Sequence, residues 1–460
     1  MIKGKSFYIE TLGCQMNKLD SELVAGLLIK AELKEAATVR EADIAIINTC
    51  SVRKHAELKA LSKLGHLNHL RCKFGRPEII AIIGCFAQRS PEYIRTRAKY
   101  VDVICGPGEL GRLAKLIECA YGKQQIAVSD FRAIRSGRES YPDRLEDFEA
   151  NRIIENKQKQ AFVRIQRGCN KFCSYCIVPY VRGPEQSRCP SAIVSEIQQL
   201  DEVGVQEVTL LGQTVNSYRF TENGQVITLA ELLYRVHESC SIPRIRFITS
   251  YPADFSEEIF DAMAELKRIC PYLHIPAQHG SNRILKLMNR KYSVEQYIEL
   301  IETARKKVKG ISIAGDFIVG FPEESEEDHQ RTLELVKQIK YKNCFIFKYS
   351  IREGTLAEKK FTEEISDEVK TRRFIELQEL QDEIALENNR ALIGKQLDVL
   401  VEGISKRGKM SLSEKRSIQL SGRTVDDKIT VFEGAEELIG QIIKVKIVDV
   451  SSLTLFAEKV

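Results

Sequence analysis

No stretch of this chain is apolar for long enough to cross a bilayer. The longest near-apolar run, Ile79 to Ala87, is about half of what a spanning helix needs. The opening MIKGKSFYIE has no apolar core of a secretory leader, so a mature, cytoplasmic chain is expected. Also missing is any strong imbalance of charge: 69 Lys and Arg against 64 Asp and Glu leave +5. Any affinity for nucleic acid must then come from a local basic patch and not from bulk charge. Cysteine is too sparse for a disulfide scaffold, 13 in 460 residues and odd in number; in a reducing compartment some of these thiols are expected to be metal ligands. No repeat of solenoid period is evident. What is present, 43% hydrophobic and 29% charged residues, excludes disorder of the whole. The length allows about two to four domains with cores of their own.

From residue 5 the pattern alternates: strand-like SFYIETLGC, helical SELVAGLLIKAEL, strand-like DIAIINTC, helical AELKALSKLGHL, strand-like EIIAIIGC and YVDVICG, then helical LGRLAKLIECAYG. Apolar runs of strand length between segments of 3.6 period indicate parallel βαβ units, hence a doubly wound N-terminal sheet. Ligands gather beyond the carboxyl ends of such strands, and three of these four strands end in Cys14, Cys50 and Cys85. One site could hold all three. Cys72, Cys105, Cys119, Cys240, Cys270 and Cys344 are read as small buried hydrophobes.

Residues 129–159 are charged and poorly periodic, as in an exposed linker. Six strand and helix units follow, with strands FVRIQRG, EVTLLGQ, RIRFITS, YLHIPAQ, ISIAGDFIVGF and CFIFKYS. Six are too few for an eight-fold barrel, so a partial (β/α)6 barrel is expected, with its reactive residues at the carboxyl ends of the strands. Residues 363–392 read as one long helix whose Phe374, Leu377, Leu380 and Ile384 form a packing stripe. From Lys395, LDVLVEGIS, IQLSGRT, KITVF and IIKVKIVDVSSLTLFAE suggest a small antiparallel barrel. The expected architecture is therefore α/β throughout the first two parts: a sheet domain at 1–128, a linker at 129–154, the partial barrel with its trailing helix at 155–392, and the small β-barrel at 393–460.

The strongest chemical signal is Cys169, Cys173 and Cys176 in RGCNKFCSYC, directly after the first strand of the second module. Three thiolates on one loop can each bind one iron of a cubane. A [4Fe-4S] cluster normally takes four cysteines, so three leave an iron open to a small molecule. A zinc site would want a second pair of ligands, and none follows nearby. Cys189, before Pro190, offers an alternative fourth ligand that would make an electron carrier, but its distance from Cys176 is unlike the compact ferredoxin run.

At this spacing the sequence resembles the radical S-adenosylmethionine superfamily, in which the amino and carboxylate groups of S-adenosylmethionine chelate the open iron and an electron splits it to methionine and a 5′-deoxyadenosyl radical. The resemblance implies that Tyr175 lies by the adenine and that Gly212 and Gln213 contact the methionyl amine. TLGCQMNKLDSE, NTCSVR, GCFAQR, RGCNKFCSYCIVPYVRGPEQSR, LLGQTVNSY, HIPAQHGSNRILKLMNR and DFIVGFPEESEED together resemble the methylthiotransferases, in order and nearly from end to end. That resemblance implies a second [4Fe-4S] cluster on Cys14, Cys50 and Cys85, and a C-terminal TRAM domain. One S-adenosylmethionine would methylate a sulfur held at the second cluster; another would supply the radical that takes hydrogen from C2 of an adenine. Cys189 departs from the family, where Arg or Pro is expected.

Within the family one branch modifies an adenosine beside the tRNA anticodon and another an aspartate of a ribosomal protein. Gln15-Met16-Asn17 and Ser51-Val52-Arg53 resemble the branch acting on N6-isopentenyladenosine, rather than the branch acting on threonylcarbamoyl-adenosine or the protein-modifying one. The implied partners are a tRNA anticodon stem-loop, an electron donor of flavodoxin or ferredoxin type, and a sulfur source. In the C-terminal barrel, Lys406, Arg407, Lys409, Lys415, Arg416 and Arg423 stand against the single acid Glu414, the clustering that phosphate binding requires.

Overall fold

The computed structural model describes residues 2–51, 54–122, 127–128, 142–154, 158–362, 364–406 and 418–460. The chain forms two compact units. One comprises Met1–Ile154, Arg164–Phe172 and Cys176–Ala192; the other comprises Glu155–Val163, Cys173–Tyr175 and Ile193–Val460.

The first unit is built on strands β1 (Ser6–Leu12), β2 (Lys34–Glu35), β3 (Ile44–Thr49), β4 (Ile79–Gly84), β5 (Val103–Cys105) and β6 (Ala127–Val128). They form one parallel sheet in the order β2-β1-β3-β4-β5-β6. Strands β3 and β4 are buried at every position, which explains why IAIINT and IIAIIG read as continuous and not alternating apolar runs. Ala60, Leu64 and Leu67 of the helix Lys54–Phe74 pack on Ala45, Ile47, Ile80, Ile82 and Ile104; each such isoleucine contributes about 1.5–3 kcal/mol by burial. The strand order reverses between β1 and β3. In a doubly wound sheet that reversal is where a ligand site opens, beyond the carboxyl ends.

The linker expectation needs correction over its described part. Residues 142–149 form a helix, Pro142–Glu149, and Leu145, Phe148 and Glu149 are buried. Little more than two turns of amphipathic pattern among charges are too short to register as periodic. The expected buried state also fails for Cys72 and Cys119, which are exposed.

In the second unit the six expected strands are Gln160–Arg164, Glu207–Leu211, Arg244–Ile248, Tyr272–His274, Ser312–Val319 and Asn343–Lys348. They form two three-stranded sheets. Ile245 N donates to Arg268 O at 2.8 Å, Cys270 N to Ile245 O at 2.9 Å and Ser250 N to His274 O at 3.1 Å, tying the sheets edge to edge in an open arc. A hairpin not expected from sequence, Arg219–Glu222 with Gln225–Thr228, follows the second strand. The trailing helix runs Asp367–Arg390, and its buried stripe is Lys370, Arg373, Leu377, Gln381, Ile384, Ala385 and Asn389. Phe374 and Leu380 are only half-buried, because polar side chains with specific partners take the inner positions: Arg373 pairs with Glu324 at 3.2 Å and Gln381 Nε2 donates to Tyr341 O at 3.1 Å.

The C-terminal strands Gln396–Ile404, Ile418–Thr424, Ile429–Gly434, Ile442–Val450 and Thr454–Lys459 close a barrel. Val399, Val401, Leu420, Phe432, Val445, Ile447 and Leu455 fill it, alternate residues of each strand pointing inward. Two expectations are corrected: the last apolar run is two strands broken at Ser451 and Ser452, and the barrel closes through one parallel pair, Ile429–Gly434 with Thr454–Lys459. Polar groups seat it on the preceding strands: Arg244 donates to Arg423 O and Asp398 O at 2.8 and 2.9 Å, and Lys342 Nζ meets Asp427 Oδ2 at 2.6 Å.

Candidate active site

Leu12 pairs with Thr49 across β1 and β3, and Thr49 with Gly84 across β3 and β4. Three neighbouring strands thus end at one level, and Cys14, Cys50 and Cys85 follow within two residues. The turn after β1 is held by carboxamides: the Cys14 thiol donates to Asn17 Oδ1 at 3.2 Å, Asn17 Nδ2 to Asn48 Oδ1 at 2.9 Å, and Asn48 Nδ2 to Asn17 O and Ser21 Oγ, each at 2.9 Å. Gly84 has φ 94° and ψ −162°, and a Cβ there would lie 2.5 Å from Asn48 Oδ1 and 2.6 Å from Thr49 O. Only glycine tolerates both that backbone and that approach.

The hydrogen bond with Cys50 holds the Cys14 thiol down at about 6; desolvation opposes it, and the Arg182 charge and the Asn17 and Met16 backbone add to it. Burial pushes the Cys85 thiol up, with Arg182 opposing. Among the described residues no three His, Cys, Asp or Glu side chains converge on the position of a single metal ion. A cubane asks for something wider, since each thiolate binds a different iron, and neighbouring thiols at three strand ends suit it. Gln88, one turn beyond Cys85, is buried with neither amide atom partnered. Its Oε1 would be 1.9 Å from a Cβ on Gly106, just past β5, so an open polar group stands at the same sheet edge.

The second cysteine set occupies the loop 169–176. Cys169 and Cys173 are buried and Cys176 half-buried. Cys169 N donates to Gly183 O at 3.1 Å. The Cys173 sulfur accepts from Arg290 Nη1 at 3.3 Å. Arg290 is buried with its guanidinium over the Tyr251 and Tyr292 rings at 4.5 and 5.0 Å, and it donates to Tyr292 Oη at 2.9 Å and Pro276 O at 3.0 Å. Ser174 fixes the loop by its Oγ to Leu287 O at 2.8 Å and its N to Met288 O at 2.9 Å.

Tyr175 packs on Ile284, Met288, Phe321 and Tyr349, a wall of apolar and aromatic groups fit for a flat ring. Gly212 and Gln213 follow the strand Glu207–Leu211. The Gln213 Oε1 is buried without a partner, an acceptor left open for an amine. The stretch is anchored by Val215 N donating at 3.0 Å to the carbonyl of Thr249, whose φ of 72° is rare for a β-branched residue. Cys189 lies apart in chemistry, its Sγ 3.1 Å from Ser191 Oγ.

Of the basic residues, Lys406 is exposed. Arg423 is half-buried and bound to Glu402 at 3.3 Å and Asp427 at 2.9 Å, so its charge serves the seat of the barrel. Arg407, Lys409, Lys415 and Arg416 lie outside the described residues. Residue types alone did not single out Asn17, Asn48, Arg182 and Arg290; all four lie inside the motifs quoted above, and only the fold shows what each touches.

Comparison with known proteins follows the same three parts. The family model described as the radical SAM superfamily matches residues 163–336, that of the uncharacterized protein family UPF0004 residues 6–106, and that of the TRAM domain residues 390–460. Among solved structures, the radical S-adenosylmethionine methyltransferase TsrM from Kitasatospora setae has a TM-score of 0.53 at 13% identity, over 77% of each chain. This is a likeness of fold. A radical S-adenosylmethionine fold, preceded by a cysteine-edged parallel sheet and followed by a TRAM barrel, defines the class.

Over 98% of its length and 95% of the relative's, the chain is 42% identical to the tRNA-2-methylthio-N(6)-dimethylallyladenosine synthase of Rhodopirellula baltica. It is also 42% identical to that of Moorella thermoacetica, over the whole of both, and 39% identical to that of Phocaeicola vulgatus, over 100% of this chain and 96% of the relative. The chain belongs to the family of these synthases.

Proposed function

We propose that the protein replaces the C2 hydrogen of N6-isopentenyladenosine, beside the anticodon of a tRNA, with a methylthio group. The observation that carries this reading is the common level of Leu12, Thr49 and Gly84, which puts three thiols at one sheet edge in addition to the three on the loop. Cys169, Cys173 and Cys176 would hold one [4Fe-4S] cluster with an iron left for S-adenosylmethionine; Cys14, Cys50 and Cys85 would hold a second. When bound, these groups supply a carbon radical able to take hydrogen from an unactivated C–H bond, and a sulfur to put in its place.

The chain's own residues do the rest. Arg290 steadies Cys173, Tyr175 offers a wall to the adenine of the cofactor, and Gln213 with Gly212 receives the methionyl amine. Of the basic residues clustered in the sequence, Lys406, Arg407, Lys409, Lys415 and Arg416 would meet phosphates, while Arg423 is already paired with Glu402 and Asp427; such contacts position an RNA without specifying it. An anticodon loop suits the reaction because its bases can be splayed out. An electron donor of flavodoxin or ferredoxin type and a sulfur source complete the system in the cytoplasm; among the described residues no helix is long and apolar enough to cross a membrane.

The test is iron counting with cofactor cleavage. About eight irons per chain are expected from two cubanes. Replacing Cys169, Cys173 and Cys176 by alanine leaves about four and abolishes cleavage. Replacing Cys14, Cys50 and Cys85 leaves cleavage but stops sulfur insertion. Cleavage that survives the first replacement overturns the radical reading, and sulfur insertion that survives the second overturns the second cluster.

A further inference from the structure

Arg182 ends the short helix Val178–Arg182, six residues beyond Cys176, and is buried. Its Nε donates to Cys85 Sγ at 3.3 Å and its Nη2 to Asp20 Oδ2 at 2.9 Å. Asp20 is itself wholly buried and also bound by Arg164, whose Nη1 is 3.2 Å from Glu149 Oε1. Ile177 and Val181, on either side of the same turn, pack on Cys85. The segment that leaves Cys176 therefore rests on a thiol of the other cysteine set.

A guanidinium taken out of water costs several kcal/mol unless well paired. The usual solution is a two-pronged bond to one carboxylate. Here the fork is divided. One prong anchors on Asp20 and the other is spent on sulfur, a poorer acceptor than the second carboxylate oxygen, which Arg164 holds instead. An arginine present only to neutralise Asp20 has no need of that division. An N–H bond and a fixed positive charge at a ligand sulfur favour the more negative, reduced state of an iron–sulfur cluster, since hydrogen bonds to sulfur and local charge set its potential.

We infer that Arg182 is a positioning residue of the Cys14, Cys50 and Cys85 centre: its N–H on the Cys85 sulfur, with its charge anchored by Asp20, raises the reduction potential of the cluster bound there. The inference rests on the reading of a second cluster given above, and the experiment separates the two. In full-length protein carrying Cys169→Ala, Cys173→Ala and Cys176→Ala, only the second cluster remains. Iron content and an EPR-monitored redox titration are compared for Arg182, Arg182→Lys and Arg182→Gln.

The expected result is about four irons in each. For Arg182→Gln the reduction equilibrium moves at least tenfold toward the oxidised form, about 59 mV more negative for one electron. Arg182→Lys, which keeps the charge but not the fork, shifts less in the same direction. An unchanged midpoint in iron-loaded Arg182→Gln overturns the inference. Should that variant fail to take up iron, Arg182→Lys decides: a lowered midpoint supports the role of the fork, and a parental one overturns it. Absence of iron from the background protein would instead overturn the second cluster itself.

Discussion

Gly84 is the position at which the sheet and the candidate site make the sharpest joint demand. Its φ of 94° with ψ −162° lies in a region that costs a side-chain-bearing residue about 1–3 kcal/mol. A methyl group would also meet Asn48 Oδ1 at 2.5 Å and the Thr49 carbonyl oxygen at 2.6 Å. The second contact is with the backbone of a central strand and cannot be relieved by a rotamer change; overpacking of this kind costs about another 1–3 kcal/mol. Gly75 provides the control, because it has φ 73° but nothing within 4 Å of its added Cβ; Gly75→Ala carries only the left-handed penalty of about 1–2 kcal/mol.

Gly84→Ala should thus lose about 2–6 kcal/mol in denaturant unfolding of the N-terminal unit, at least about 1 kcal/mol more than Gly75→Ala. Because Asn48 is also bonded to Asn17 at the Cys14 turn, the displacement spreads to two of the three thiols. Reconstituted Gly84→Ala should carry fewer than the parental irons while still cleaving S-adenosylmethionine. Full iron together with a midpoint equal to that of Gly75→Ala would refute the reasoning.

Three further outcomes are expected at other places in the chain. Gln213→Leu, which removes the open acceptor, should raise the S-adenosylmethionine concentration needed for half-maximal cleavage about tenfold, the loss of roughly one hydrogen bond to a charged group, with iron unchanged; an unaltered requirement would remove Gln213 from the cofactor site. Burial holds the Lys342 amine down at about 8 although Asp427 pulls it up. With the ordinary value near 10.4, the folded state binds fewer protons between those limits, so stability rises with pH there; Lys342→Met should flatten that rise, and parallel pH curves would contradict the assignment. Reversal of Lys406, Arg407, Lys415 and Arg416 to glutamate should weaken tRNA binding and shallow its salt dependence while leaving substrate-free cofactor cleavage intact, and equal tRNA binding would remove the barrel from the interface.

Much of this was legible in the sequence because local patterns and tertiary demands agree. Apolar runs such as IAIINT and IIAIIG mark strands buried on both faces, and the strand-end positions of Cys14, Cys50 and Cys85 were readable once those strands were placed. The spacing of Cys169, Cys173 and Cys176 is a property of one loop and needs no fold. What escaped depends on contacts distant in sequence. Arg182 meets Cys85 across 97 positions and Arg290 meets Cys173 across 117, and an arginine in a charged stretch looks like any other until its partner is known. The trailing helix misled for a related reason: Arg373 and Gln381 are inside because Glu324 and Tyr341 wait for them, so the apolar stripe was not the whole of its inner face. Arg423 likewise reads as a free cation until Glu402 and Asp427 are seen beside it.

The proposed insertion of methylthio at isopentenyladenosine in tRNA is open to one direct test. The direct measurement is mass spectrometry of nucleosides after incubating the anaerobically reconstituted protein with S-adenosylmethionine, a reductant and tRNA either carrying or lacking the isopentenyl group, beside a ribosomal-protein control. 2-Methylthio-N6-isopentenyladenosine is expected from the first tRNA only. Modification of the protein control alone, or of the threonylcarbamoyl-adenosine in tRNA instead, would contradict it.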